Sequence, residues 1–206
     1  MRLFAKILSS LFHPLLMLTY GITIALTCTF LALYPLRMKW LIWGSTFLST
    51  AVLPGTFIYL LIRKGVASDV ELTKRKDRWL PYLIFLTSVA LCLYFFYRMM
   101  MPFWLIALSI GVCVALLIAF CVNFFWKISA HMIGIGGLTG GLMGIARIHL
   151  INPYPAFMAM LLIAGLVGTS RIFLKRHTPM QVYAGFSLGF MCTFVASMMS
   201  YIYLFI

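Results

Sequence analysis

Residues 102–126 read PFWLIALSIGVCVALLIAFCVNFFW, 25 residues without a charge. Wound into an α-helix, such a segment measures about 38 Å at 1.5 Å per residue, more than the ~30 Å hydrocarbon core of a bilayer. A helix that is apolar all round must be buried in protein or lipid. Six further apolar runs flank it, at 14–36, 40–62, 79–97, 129–145, 154–174 and 179–205. Composition agrees. The chain has 206 residues, 64% of them hydrophobic and 9% charged, with a mean hydropathy of +1.08. Soluble domains have roughly 45–50% apolar and 25% charged residues. A disordered, fibrous or ordinary water-soluble protein is excluded. The expected fold is an all-α polytopic membrane protein, a bundle of six to seven transmembrane helices forming a single integral membrane domain over 1–206. The fifth run is short and glycine-rich, which leaves its full crossing open. Arg2 and Lys6 precede the first run as in a signal peptide, but no small-residue cleavage site follows, so a retained first span is expected.

The joints between runs carry the polar residues. The longest, 63–78, holds all three acids of the chain. Two spans separate that loop from Lys127–His131, and two more separate this from Arg171–His177. All three clusters are thus expected on one membrane face. That face receives twelve of the 16 cations, counting Arg2 and Lys6, and the other receives Arg37, Lys39, Arg98 and Arg147. The positive-inside rule places the twelve in the cytoplasm, with the chain in the cell (inner) membrane. The formal charge of +13 suits anionic lipid headgroups, and nucleic acid is not expected as a partner. The five cysteines are scattered through apolar runs without C-x-x-C spacing, so neither a disulfide framework nor a zinc site is expected.

Two histidines stand in matched settings. Thr178 is a good N-cap, Pro179 suits the first helical position and Gln181 falls at N3, which completes a capping box. His177 therefore precedes a helix N-terminus, beside Arg171, Lys175 and Arg176, where backbone N–H groups and cations favour a phosphate. In the second setting Ser129 can cap the fifth helix, and His131 lies in that helix's first turn. The stretch Lys74-Arg75-Lys76-Asp77-Arg78-Trp79-Leu80-Pro81 adds cations. Two imidazoles and several cations, with few carboxylates, are the ingredients of phosphoryl transfer without a metal: one imidazole as nucleophile, the other as acid and base.

Ser170-Arg171, then five residues, then His177 resembles the S-R-x5-H core of the third motif of the type 2 phosphatidic acid phosphatase superfamily, the lipid phosphate phosphatases. Ser129-Ala130-His131 is similar to its second motif, P-S-G-H, and 74–81 to its first, K-x6-R-P. The resemblance covers about 74–189. It implies that His177 attacks phosphorus and that His131 protonates the leaving oxygen and then activates water. It also implies that Arg171, Lys74, Arg78, Ser129 and Ser170 bind phosphate, with no metal or cofactor. Implied substrates are lipid phosphates: phosphatidic acid, phosphatidylglycerol phosphate, prenyl diphosphates or lipid A phosphate. The sequence departs from the family pattern at Gln181, where the family has the Asp that orients the nucleophilic His; an amide oxygen can still accept the imidazole N–H. Ile128 and Ala130 replace Pro and Gly of the second motif.

Other features read more simply. His13 and His149 read as satisfied interfacial residues, and Arg63, Lys64, Lys175 and Arg176 as topology anchors. The glycine run 134–144 fits no phosphate-loop template. Its overlapping pairs Gly136/Gly140, Gly137/Gly141 and Gly140/Gly144 are G-x-x-x-G steps that point to close helix packing at the bundle centre. Two other functions compete with the phosphohydrolase: a non-catalytic lipid-phosphate binding or transport protein on the same scaffold, and a channel or transporter unrelated to phosphate. The last would place ionisable pairs at mid-membrane, whereas the three acids all lie in one loop.

Overall fold

The computed structural model describes residues 1–65 and 75–203. It is an all-α membrane bundle. Its helices are α1 (Arg2–Leu11), α2 (Pro14–Cys28), α3 (Leu36–Phe47), α4 (Leu53–Arg63), α5 (Trp79–Arg98), α6 (Phe103–Asn123), α7 (Ala130–Ile148), α8 (Tyr154–Phe173) and α9 (Pro179–Tyr203). Lys74, expected at the phosphate, lies outside the described residues.

Among the described residues, five rods are long and apolar enough to cross a membrane: α3–α4 taken together, α5, α6, α8 and α9. The α1–α2 pair, bent by 55°, makes a sixth if counted as one span. The first apolar run is interrupted earlier than its composition suggests. Thr29 donates to the Ala25 carbonyl at 2.7 Å and accepts from the Leu31 N–H at 3.2 Å, so α2 stops at Cys28 and a 3₁₀ turn follows. The second run is one continuous rod over Leu36–Arg63 with a π-helical turn at Leu48–Val52. Pro54 explains the turn: its ring and missing N–H disrupt the i→i−4 ladder, and the wider turn before it absorbs the mismatch.

Helix α7 is the centre of the bundle. It carries six glycines, and those on one face lie against α9. A Cβ on Gly136 or Gly140 would strike the carbonyl of Phe186 or Phe190, and one on Gly189 would strike that of Ile133. A Cβ on Gly185 would come within 2.7 Å of the Ser129 oxygen. The close-packing reading of Gly136, Gly140 and Gly144 therefore holds. Gly137 and Gly141 differ: an added Cβ at either meets only ordinary contacts, at 3.6 Å and 3.5 Å, because these two glycines line a cavity instead. Being covered by neighbours, α7 needs less apolarity than the lipid-facing rods.

The rods alternate in direction, so the starts of α2, α5, α7 and α9 share one end with the ends of α4, α6 and α8. Arg37, Lys39, Arg98 and Arg147 lie at the opposite end; there the Arg147 guanidinium sits 5.4 Å from the Tyr201 ring centroid.

Candidate functional site

The three polar clusters meet at one end of the bundle and are laced together through backbone oxygens. Arg78 Nη1 donates to the Ile128 carbonyl at 3.0 Å, and Arg75 Nη1 to the Phe125 carbonyl at 2.7 Å. Asn123 Nδ2 returns a bond to the Arg75 carbonyl at 3.3 Å. Lys127 Nζ donates to the Arg176 carbonyl at 2.8 Å, and the Ser129 N–H to the Gln181 carbonyl at 3.3 Å. The joint before α5, the α6–α7 joint and the α8–α9 joint thus form one layer.

Local backbone geometry aims His177. Helix α8 ends in a Schellman motif: the Arg176 N–H bonds the Arg171 carbonyl at 3.0 Å and the Lys175 N–H bonds that of Ile172 at 2.9 Å. Lys175 takes the left-handed conformation this motif needs, at φ 55°. The chain turns back sharply, and His177 comes to lie beside Arg171 rather than beyond it. Two residues later Pro179 starts α9. The Thr178 N–H donates to Gln181 Oε1 at 3.2 Å, which is the capping-box bond expected from sequence.

That bond also fixes the chemistry of His177. Its Nδ1 lies 3.0 Å from the same Gln181 Oε1. An atom accepting from a backbone N–H is the amide oxygen, not the NH₂, so His177 Nδ1 must carry the proton and donate. Nε2 keeps the lone pair. Burial pushes the His177 pKa down, with the neighbouring Arg78 charge adding to the effect and the Gln181 bond opposing it, to about 3. The imidazole is therefore neutral at physiological pH.

His131 has the opposite arrangement. Its Nε2 lies 3.1 Å from the Ser9 carbonyl, which can only accept, so Nε2 holds the proton and Nδ1 is left for exchange. Ser9 comes from α1, a strongly amphipathic helix that packs on α8 with Ala5 and Ser9 inward and Leu3, Phe4, Ile7 and Leu11 outward. Arg171 is only 2% exposed, so it is no snorkelling surface cation. Arg78, His131 and His177 are buried as well. All four line the same cavity, and His131 and His177 both lie within electrostatic reach of Arg171.

The other expected residues fall nearby without reaching the cavity wall. Gln181 stands behind His177. Ser129 occupies the N-cap position of α7, but its hydroxyl makes no capping bond; it is fully buried against α9 with no hydrogen bond among the described residues. The Ser170 hydroxyl donates to the Leu166 carbonyl of its own helix at 2.8 Å. Two residues were missed. His13, read as a bland interfacial residue, caps α2 and sets its ring edge-to-face on His131 with centroids 5.4 Å apart. Tyr82, one turn beyond Arg78, is buried at the cavity wall, and its hydroxyl has no hydrogen bond among the described residues. The i, i+4 spacing from Arg78 was the one signal that could have found Tyr82.

Comparison with protein-family models, with curated proteins and with solved structures finds no match for this chain. The class that fold and site define is an all-α membrane bundle enclosing a cavity with a cationic, histidine-bearing end.

Proposed function

We propose that the protein is a membrane-embedded phosphohydrolase of lipid phosphates or diphosphates working through a phosphohistidine, as its resemblance to the type 2 phosphatidic acid phosphatases implies. The observation that carries this reading is the His177–Gln181–Thr178 chain of hydrogen bonds. It gives a buried imidazole whose proton is held on Nδ1, which leaves the lone pair on Nε2, in a cavity shared with two buried guanidinium groups. A nucleophile, an acid–base partner and fixed positive charge are the parts that in-line phosphoryl transfer needs.

In the first step Nε2 of His177 attacks phosphorus while the bond to the lipid oxygen breaks. Arg78 and Arg171 neutralise the phosphoryl oxygens, and the departing oxygen takes a proton from Nδ1 of His131. A bound phosphate dianion favours the protonated form of His131 by simple charge attraction. In the second step His131 Nδ1 accepts a proton from water as the water oxygen attacks phosphorus. The N–P bond breaks, inorganic phosphate leaves, and both histidines return to their starting forms. Gln181 holds the Nδ1 proton of His177 throughout but, being neutral, supplies no charge to the phosphorylated ring.

The charge count supports a cytoplasmic position for this end of the bundle. Purified protein incubated with a panel of lipid phosphates in excess chelator should release phosphate, and His177→Ala should reduce release to background. Equal background release from both proteins would overturn the enzymatic reading. Saturable retention of lipid phosphate by both, without release, would instead identify the binding protein on the same scaffold.

A further inference from the structure

The cationic end is only the mouth of the cavity, which has a volume of about 170 Å³. From His131 its lining follows α7 past Gly137 and Gly141 to Ile145, with α2, α6 and α9 forming the other sides. Ile22, Leu105 and Ile145 close the deep end, where they belong to an apolar cluster with Phe96 and Trp104. Below the mouth the walls are apolar. Ser109 and Thr193 also line it, but their hydroxyls are taken by the Leu105 and Gly137 carbonyls at 3.0 Å and 2.9 Å. Gly137 and Gly141 keep this wall flat: a Cβ at either would make only ordinary contacts, and a larger side chain would project into the cavity.

We infer that this cavity takes a hydrocarbon tail of the lipid phosphate into the bundle and measures its length, accepting tails of about sixteen carbons and rejecting long polyprenyl chains. Fourteen residue steps from His131 to Ile145 at 1.5 Å each make the path about 21 Å. An extended chain advances about 1.2 Å per bond, so about seventeen bonds fit between mouth and floor. The head is fixed by charge at Arg78 and Arg171, and so the position of the tail end follows from chain length. The inference rests on the lipid-phosphate reading for the head and on the apolar lining for the tail.

The bilayer already solvates a lipid tail, so mere hydrophobicity gives no preference for the cavity over lipid. Selection comes from fit. A short tail leaves a void at the floor, and a long one collides with Leu105 and Ile145.

Alkyl phosphates carrying a diazirine at the tail end read this geometry without needing turnover. In mixed micelles at equal mole fraction, a probe of about eight carbons should label α7 near Leu138, and one of about sixteen should label the floor around Leu105 and Ile145. In Gly141→Leu the floor label should fall about tenfold, because the new side chain blocks the path. Labelling by the short probe should persist and shows that the variant is folded. A matching alkyl alcohol should lose labelling with the head anchor gone. If the alcohol labels the same floor residues as the phosphate, the lipid-phosphate reading of the mouth fails while the tail cavity stands. Labelling confined to the lipid-facing surface, such as Leu161 and Leu162, or independent of chain length, overturns the inference.

Discussion

Gln181→Glu replaces an amide oxygen 3.0 Å from His177 Nδ1 with a carboxylate at nearly the same place. Glutamate keeps both bonds that Gln181 Oε1 makes, to His177 and to the Thr178 N–H. The change is therefore mainly one of charge. An opposite charge at this range raises a histidine pKa by roughly 1–3 units, against a starting value of about 3 set chiefly by burial and Arg78. In Coulomb terms a charge pair about 4 Å apart gains ~4 kcal/mol at an effective dielectric constant of 20. The gain applies to any cationic form of the ring, including the phosphorylated one. For the unaltered protein, protonation of His177 lies far below neutrality, so the acid side of the pH profile of kcat/KM contains no loss from His177 between about pH 5 and 8. Gln181→Glu should move that loss upward and raise kcat near neutral pH by about tenfold or more. Gln181→Ala should remove tautomer control and lower kcat. Phosphate release measured across pH gives the profiles, and ¹⁵N spectra of labelled histidines give the His177 titration independently of turnover. An unchanged His177 titration in Gln181→Glu would refute the reasoning, because it would mean that the 181 side chain does not touch the ring.

Three further outcomes follow from the packing and the charges. Gly189→Val drives a side chain into the Ile133 carbonyl and, at 2.8 Å, the Gly137 nitrogen, so the thermal midpoint should drop by an amount reflecting about 1–3 kcal/mol or more, whereas Gly141→Ala should leave it nearly unchanged. Arg78→Ala removes both the 3.0 Å bond to Ile128 and the charge that depresses the His177 pKa; KM for lipid phosphate should rise and the His177 titration should shift upward, and a downward shift would contradict the assigned proximity. A single cysteine at Lys64 in a cysteine-free background should resist an impermeant maleimide in intact cells, and prompt labelling would overturn the proposed cytoplasmic position of that end.

Much of this fold was legible because a bilayer imposes a length on every crossing helix. The runs at 79–97, 102–126 and 154–174 coincide with α5, α6 and α8 to within a few residues. Parity alone brought Arg78, His131 and His177 to one end. The capping box at Thr178–Gln181 was legible for a similar reason, since its bonds join neighbours in sequence. What escaped is set by contacts between distant elements. His13 meets His131 only because α1 and α2 bend by 55° and α1 lies on α8. The Ser170 hydroxyl turned to its own helix, since a carbonyl one turn back is a nearer acceptor than any group across the bundle. The glycines of α7 carried two messages in one pattern. Gly136 and Gly140 admit α9, while Gly137 and Gly141 line the cavity, and the G-x-x-x-G spacing cannot distinguish a face closed by a helix backbone from one that borders a cavity.

The central claim is that His177 receives the phosphoryl group on Nε2. Rapid acid-free quenching during turnover of ³²P-labelled lipid phosphate, followed by peptide mass spectrometry, tests it directly. The account expects transient phosphate on His177, none in His177→Ala, and both slower formation and slower breakdown of the phosphorylated ring in His131→Ala, which loses the acid of the first step and the base of the second. Phosphate release without any phosphorylated His177, in both the unaltered protein and His131→Ala, would contradict it.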